Sequence, residues 1–345
     1  MQKILIVDNS ALMRRFLCDI INADKDFHVV DMSADGEDAY NKITSNNFDL
    51  VVMEMILPKM DGLTILKKLK EENITCKIIA LTTSIREDAE ETVKALEYGA
   101  YDFVSRPARL GGQKGAFGEQ LLSIMHNASA GYPKKSVPPT INNTVAKVSN
   151  VGWKPEIVFI ASSTGGPKAL HTVFERLNGS VNVPIVIVQH MPKGFTSALA
   201  QRLNQLSDLK VKEAADGDIL RPGCAYIAPG GYHMLIAENH NKQAYLSINN
   251  DPPINSLRPC ADVTMASFNK TTSRNILCVV LTGMGADGTN GIQEMMKHKN
   301  LYVITESQET CVVYGMPRSV VQNNLSNESA PIEKISEAII KKLGG

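Results

Sequence analysis

The stretch Glu156 to Leu170, EIVFIASSTGGPKAL, constrains the fold most. The apolar, β-branched run Ile157–Ile160 reads as a buried strand. Ser162, Ser163 and Thr164, followed by Gly165, Gly166 and Pro167, read as a tight turn, and helix-forming residues come next. Such a turn presents a side-chain hydroxyl and backbone N–H groups at the positive end of a helix. That suits a serine nucleophile, because the negative charge of acyl transfer needs aimed donors. It equally suits a plain βα turn whose hydroxyls cap the helix.

A length of 345 residues leaves room for two domains. Hydrophobic residues are 43% and charged residues 21%, enough apolar material for sizeable cores. The formal net charge is +0, so no global field favours nucleic acid or a membrane surface. The six Cys, at 18, 76, 224, 260, 278 and 311, form no C-x-x-C pair, and most lie beside apolar residues. Buried, reduced thiols are expected rather than disulfides or a metal site. MQKILIVDNS runs straight into a strand without a signal-peptide pattern, and no stretch reaches the apolar length of a membrane span. These features predict a cytoplasmic protein without membrane insertion.

Residues 1–126 alternate strand and helix patterns. Strands are expected at Ile4–Val7, His28–Met32, Leu50–Met53, Lys77–Leu81 and Asp102–Val104, with helices clearest at Leu63–Lys70 and Glu87–Tyr98. Five βα units imply a parallel sheet covered on both faces. Ligand sites in such sheets lie at the carboxyl ends of the strands. Those ends carry Asp8, Asn9, Glu54, Thr82 and Arg106.

VDNSALMR, MEMILPKMDGL and GAYDFVSRP resemble the signature stretches of response-regulator receiver domains. The resemblance implies a flavodoxin-like fold, a Mg²⁺ held by two acidic residues after the first strand, and a phosphate-accepting Asp ending the third. It also implies a hydroxyl residue after the fourth strand and a Lys after the fifth. Asp8 and Thr82 match, but Asn9 stands for the second acid, Glu54 for the acceptor and Arg106 for the Lys. A degenerate pocket is expected, with no phosphate on Glu54 and, through Asp8, at most weak Mg²⁺ binding. Alternatively, Asp8 and Asn9 only cap the next helix.

Residues 127–154 lose the apolar periodicity and gain Pro, Asn, Ser and Gly, which reads as a linker, extended near Pro138-Pro139. Lys134 and Lys135 read as solvated linker charges, and Trp153 as a packing residue.

A second βα series fills 155–345. Strands are expected at Ile157–Ile160, Ile185–Val188, Ala225–Ile227, Met234–Ile236, Ala244–Ile248, Ile276–Leu281 and Leu301–Ile304. Helices are expected at Pro167–Leu177, Thr196–Gln205, Ala261–Phe268 and Gly291–Lys297. The strands between 225 and 248, joined by short loops, read as antiparallel. The expected domain is doubly wound and mostly parallel, with an antiparallel edge or hairpin.

Three strand ends deliver Ser163, His190 and Asp287, and parallel strands place these ends on one edge. A serine hydroxyl needs a base to take its proton; imidazole can do so near neutral pH, and a carboxylate can fix its tautomer. The chain order Ser, His, Asp differs from the α/β-hydrolase order, and Ala161 replaces the first Gly of the usual nucleophile elbow. Each residue also has a plain reading: His190 as a satisfied strand-end histidine, Asp287 as a turn residue. His233, in APGGYH, either touches substrate or packs. A competing pattern is G-x-G-x-x-G at Gly283–Gly288, with Glu306 at the spacing of a ribose ligand, which fits a dinucleotide-binding oxidoreductase. That pattern does not explain Ser163 and His190, and it sets the Asp287 carboxylate beside a pyrophosphate.

IASSTGGPKAL, IVIVQHMPKGFT, EAADGDILRPGCAYIAPGGYH, LRPCADV, LTGMGADG and VVYGMPRSV resemble, in order, the catalytic domain of the bacterial chemotaxis methylesterase family, CheB. A receiver linked to such a domain is that family's architecture. The resemblance implies hydrolysis of glutamate γ-methyl esters on cytoplasmic helices of methyl-accepting chemoreceptors, and deamidation of receptor glutamines. It implies Ser163 as nucleophile, His190 as base and acid, and Asp287 as orienting carboxylate. It places Thr164 beside the nucleophile and the Met284 N–H as an oxyanion donor. It implies no cofactor for hydrolysis, and a receiver that covers the site until phosphorylation moves it. The chemotaxis histidine kinase is a further expected partner, and a monomer is expected. A catalytically silent receptor-array binding module is the remaining alternative.

Overall fold

The structure is a computed structural model and describes residues 1–82, 86–106, 114–129, 153–177 and 181–344. Two compact units divide the chain.

The N-terminal unit runs β1 (Gln2–Val7), α1 (Ala11–Ile21), β2 (Phe27–Ser33), α2 (Gly36–Ser45), β3 (Leu50–Glu54), α3 (Gly62–Glu71), β4 (Ile78–Thr82), α4 (Arg86–Glu97), β5 (Asp102–Ser105) and α5 (Lys114–Ser129). Its five-stranded sheet has the order β2-β1-β3-β4-β5, with every pair parallel. All of β3 is buried, as a central strand covered on both faces must be. Ser10, Asp35 and Asp61 accept N–H bonds from Met13, Asp38 and Thr64 and so start α1, α2 and α3. The cap of α1 is therefore Ser10 and neither Asp8 nor Asn9; Asp8 Oδ1 instead accepts the Ser10 N–H at 2.8 Å. α5 continues past Asn127, where the sequence pattern starts the linker. Lys134, Lys135 and Pro138-Pro139 lie outside the described residues.

The C-terminal unit runs β6 (Ile157–Ser162), α6 (Gly166–Arg176), β7 (Ile185–Gln189), α7 (Phe195–Leu206), β8 (Lys210–Glu213), β9 (Cys224–Ile227), β10 (His233–Glu238) and β11 (Ala244–Asn249). It continues α8 (Ala261–Ser267), β12 (Asn275–Val280), α9 (Thr289–Met295), β13 (Asn300–Glu306), α10 (Met316–Gln322), β14 (Glu328–Ala330) and α11 (Ile332–Leu343). The seven-stranded sheet has the order β14-β13-β12-β6-β7-β9-β8 and is parallel throughout. This corrects the expectation for Ala225–Ile227: β9 pairs in parallel with β7 and β8, while β10 and β11 form an antiparallel hairpin in a separate sheet. Short loops suggested a meander, but the turn of Pro229 to Tyr232, with Gly231 at φ 81°, takes the chain out of the main sheet. β8 escapes a hydrophobic pattern because only Val211 of its four residues is buried. α11 buries Ile332, Ile335 and Ile339 on one face and bonds α6 through Ser336 Oγ to the Val173 carbonyl at 3.0 Å. Trp153 packs on Tyr302 with ring centroids 6.0 Å apart.

Candidate active site

β6 lies between β12 and β7, so strand order reverses beside it and opens a crevice at the carboxyl ends. Ser162 is paired with Gln189, and Ala161 with both Val188 and Val280, so Ser163, His190 and Thr282 leave adjacent strand ends. Ser163 donates its N–H to the Thr282 carbonyl at 3.0 Å, and His190 donates its own to the Ser162 carbonyl at 3.0 Å. Asp287, in the loop after β12, reaches to His190, the residue that follows β7. Tight turns hold the nucleophile. Gly165 adopts φ 76°, and a Cβ there would lie 2.5 Å from Val312 Cβ. A Cβ on Gly283 would lie 2.8 Å from Ser163 Cβ.

His190 Nε2 and Asp287 Oδ2 are 2.7 Å apart. Asp287 is buried and also accepts the Ala261 and Asp262 N–H groups that begin α8, at 2.6 and 2.9 Å, and the Gly288 N–H at 3.0 Å. Burial opposes its charge, but the hydrogen bond and charge of His190, then those N–H groups, outweigh it and hold the carboxyl below its usual range. The Cys260 thiol donates to Asp287 Oδ1 at 3.2 Å; burial, then the Asp287 charge, push it up to about 12, so it stays a protonated donor. Asp262 returns the arrangement, accepting N–H bonds from Gly288 at 2.8 Å and Gly291 at 2.7 Å. With Nε2 committed to Asp287, Nδ1 is the free nitrogen of His190; no hydrogen bond joins it to Ser163 Oγ among the described residues.

The turn carrying Met284 is fixed on both sides. Gly283 donates to the Val313 carbonyl and accepts from Gly315 and Met316, while the Thr282 hydroxyl donates to the Thr164 carbonyl at 3.0 Å. Glu306 is turned inward: it accepts the Thr282 N–H at 2.8 Å and the Thr310 hydroxyl at 3.0 Å, and burial pushes it up to about 7. A buried Glu306, and Gly288 and Gly291 N–H groups already taken by Asp262, leave little of a dinucleotide fingerprint. His233 is buried, with Nε2 on the Pro252 carbonyl at 3.1 Å, so it packs. Among the described residues no helix is long and apolar enough to cross a membrane. All six Cys are free.

In the receiver pocket, the Arg106 guanidinium pairs with Glu54 Oε2 and lies 3.5 Å from Asp8 Oδ2. Glu54 Oε1 accepts the Met55 and Ile56 N–H groups at 2.8 and 3.2 Å. Asp8, Glu54 and Thr82 are buried, whereas Asn9 is exposed. Among the described residues, Thr82 Oγ1 has no hydrogen-bond partner. Burial raises the Asp8 and Glu54 carboxyls, with Arg106 opposing the rise at both.

Gln189, Cys260, Asp262 and Thr282 support the site but were not singled out for it in the sequence, and Glu306 was singled out only as a ribose ligand. Gln189 had a signal, since a polar residue closes the buried run IVIVQ. The others become neighbours only through the sheet order.

The profile of the CheB methylesterase family matches residues 158–339, and that of the response regulator receiver domain matches residues 4–111. The "Protein-glutamate methylesterase/protein-glutamine glutaminase 1" of Syntrophomonas wolfei is 36% identical over 351 residues, covering 99% of this chain and 99% of its own. The protein named protein-glutamate methylesterase/protein-glutamine glutaminase in Bacillus subtilis is 36% identical over 350 residues, covering 98% of each. Among solved structures, the CheB methylesterase catalytic domain of Thermotoga maritima is similar with a TM-score of 0.50 and 40% identity, covering 54% of this chain and 98% of that one.

Proposed function

The chain belongs to the CheB methylesterase family, and from that premise we propose that it is a protein-glutamate methylesterase and protein-glutamine glutaminase of chemotactic adaptation, working through Ser163, His190 and Asp287. The observation that carries the reading is the His190–Asp287 contact of 2.7 Å above the strand end that delivers Ser163. Asp287 holds a proton on Nε2 and leaves Nδ1 basic. Nδ1 takes the proton of Ser163 Oγ as Oγ attacks the γ-carbonyl of a glutamate methyl ester. The Met284 N–H, the donor the family resemblance implies, is assigned to the oxyanion. The imidazolium returns the proton to the leaving methoxy oxygen, and methanol departs from an acyl-enzyme. Water, activated by the same imidazole, releases the glutamate and restores Ser163. With glutamine the leaving group is ammonia. The contact of Oγ with Nδ1 closes when substrate enters, as catalytic hydrogen bonds commonly do.

Methanol release from a methylated chemoreceptor helix tests this reading. Release is expected from the helix, with slower ammonia release from glutamine at the same position, because the amide is less reactive. Activity on simple esters alone would point to a general esterase.

The receiver pocket does not suit Mg²⁺. Arg106 already sets a cation against both carboxylates, and Asn9 supplies no second charge. Glu54 has both oxygens engaged, Oε1 by two N–H groups and Oε2 by Arg106, which opposes their attack on phosphorus. Incubation with Mg²⁺ and acetyl phosphate should therefore leave the chain unphosphorylated and its esterase rate unchanged. Stoichiometric phosphate on Glu54 with a matching rise in rate would overturn this. The setting is cytoplasmic, with chemoreceptor helices as substrate, the chemotaxis histidine kinase as a docking partner, and a monomeric enzyme.

A further inference from the structure

We propose that Gln189 is a positioning residue for this reaction, a clasp that fixes the nucleophile relative to the base; the inference rests on the catalytic reading above. Gln189 ends β7 directly before His190 and is 1% exposed. Its amide nitrogen donates to the Ser163 carbonyl at 2.9 Å and to the His190 carbonyl at 3.1 Å. Its Oε1 accepts the Ser162 hydroxyl at 2.6 Å. Two carbonyls can be served only by a donor, so the orientation of the amide follows from its partners. With both ends bonded in a buried site, the side chain has one low-energy placement, since turning it would set its oxygen against the Ser163 and His190 carbonyls.

The β6–β7 register ends at the Ser162–Gln189 pair. Beyond it, the main chains of nucleophile and base diverge into separate loops. Gln189 bonds to both of them and carries the register one residue further, through a side chain. The chain makes room for this: a Cβ on Gly166 would lie 2.0 Å from Gln189 Oε1. The clasp leaves both reacting side chains untouched and sets only their separation, the quantity on which proton transfer from Oγ depends.

The test is steady-state methanol release by the full chain carrying Gln189→Met, Gln189→Glu or Ser162→Ala. Gln189→Met keeps the bulk and deletes the donor; a misplacement of about an ångström should lower kcat roughly 10²-fold and leave KM within about twofold. Gln189→Glu adds a pH signature. Its protonated carboxyl can still donate to one carbonyl, whereas its ionised form turns an oxygen charge on both. The kcat profile of this variant should fall as that carboxyl ionises, a limb the parent lacks. Filling space alone would produce neither the kcat-only loss nor the new limb.

Wild-type kcat in a folded Gln189→Met, or a parental profile in Gln189→Glu, overturns the proposal. Should Gln189→Met not fold, Ser162→Ala decides. It removes only the bond to the amide oxygen, loosening the clasp at that end, and should cost kcat roughly tenfold with KM unchanged; a parental kcat overturns the proposal. An inactive parent fails the catalytic reading and this inference together. An active parent matched by its Gln189→Met variant fails this inference alone.

Discussion

Ser163→Ala should lose roughly 10⁴-fold or more of the methanol release while unfolding like the parent. The substitution removes one oxygen from a half-buried position whose main chain is held independently, by Thr282 on one side and by Gly166 and Gln189 on the other. The turn therefore keeps its shape and the reaction loses its nucleophile. Asp287→Asn should cost a comparable factor by another route. The Asp287 carboxylate collects His190, Ala261, Asp262, Gly288 and Cys260 as donors. An amide in its place turns an NH₂ toward part of that set. If the NH₂ faces His190, Nε2 must become an acceptor, the proton moves to Nδ1, and the base is lost. If it takes the Oδ1 place instead, the Asp262 and Gly288 N–H groups lose that acceptor and the start of α8 loosens. Methanol release at saturating substrate, with melting followed in parallel, separates the two. A folded Ser163→Ala with parental turnover would end the nucleophile assignment.

Much of this site was legible in the sequence because strand ends are legible. A buried β-branched run that stops at a small polar residue marks a carboxyl end, and parallel strands share that edge. Ser163, His190 and Asp287 each follow such a run. The pairing order was hidden, because it depends on which strands neighbour β6. The same run-and-stop logic located the strand at Ala225–Ile227 but not its direction. Its loop lengths fit a hairpin, and only the parallel contacts with Ile185 and Val211 exclude one. The reciprocal capping of α8 by Asp287 and of α9 by Asp262 was equally hidden, since a carboxylate near a helix start does not reveal which helix it serves. In the receiver, each departure at Asn9, Glu54 and Arg106 was visible, but the pairing of Glu54 with Arg106 was a matter of distance.

Arg106→Ala should destabilise the receiver by about 3–5 kcal/mol near neutral pH, because it strands buried carboxylates that this guanidinium neutralises. The pH dependence follows from the raised pKa values of Asp8 and Glu54. A carboxyl raised on folding keeps its proton in the native state at a pH where the unfolded chain has released it. Stability therefore falls as pH rises from the unfolded value through the folded one. Removing Arg106 takes away an influence that lowers both values, so the fall extends to higher pH and the deficit of the variant shrinks on acidification. Trp153, the single Trp, packs on Tyr302 in the C-terminal unit, so its fluorescence follows that unit while far-UV circular dichroism follows both. The variant should shift a urea transition seen by dichroism and leave the fluorescence transition in place. Mg²⁺ should then raise the shifted midpoint and leave the parent's unmoved, because only the variant has two carboxylates without a cation. A transition within about 0.5 kcal/mol of the parent's would show that the Asp8 and Glu54 charges are met by something other than Arg106. The case against phosphate chemistry at Glu54 would fall with it.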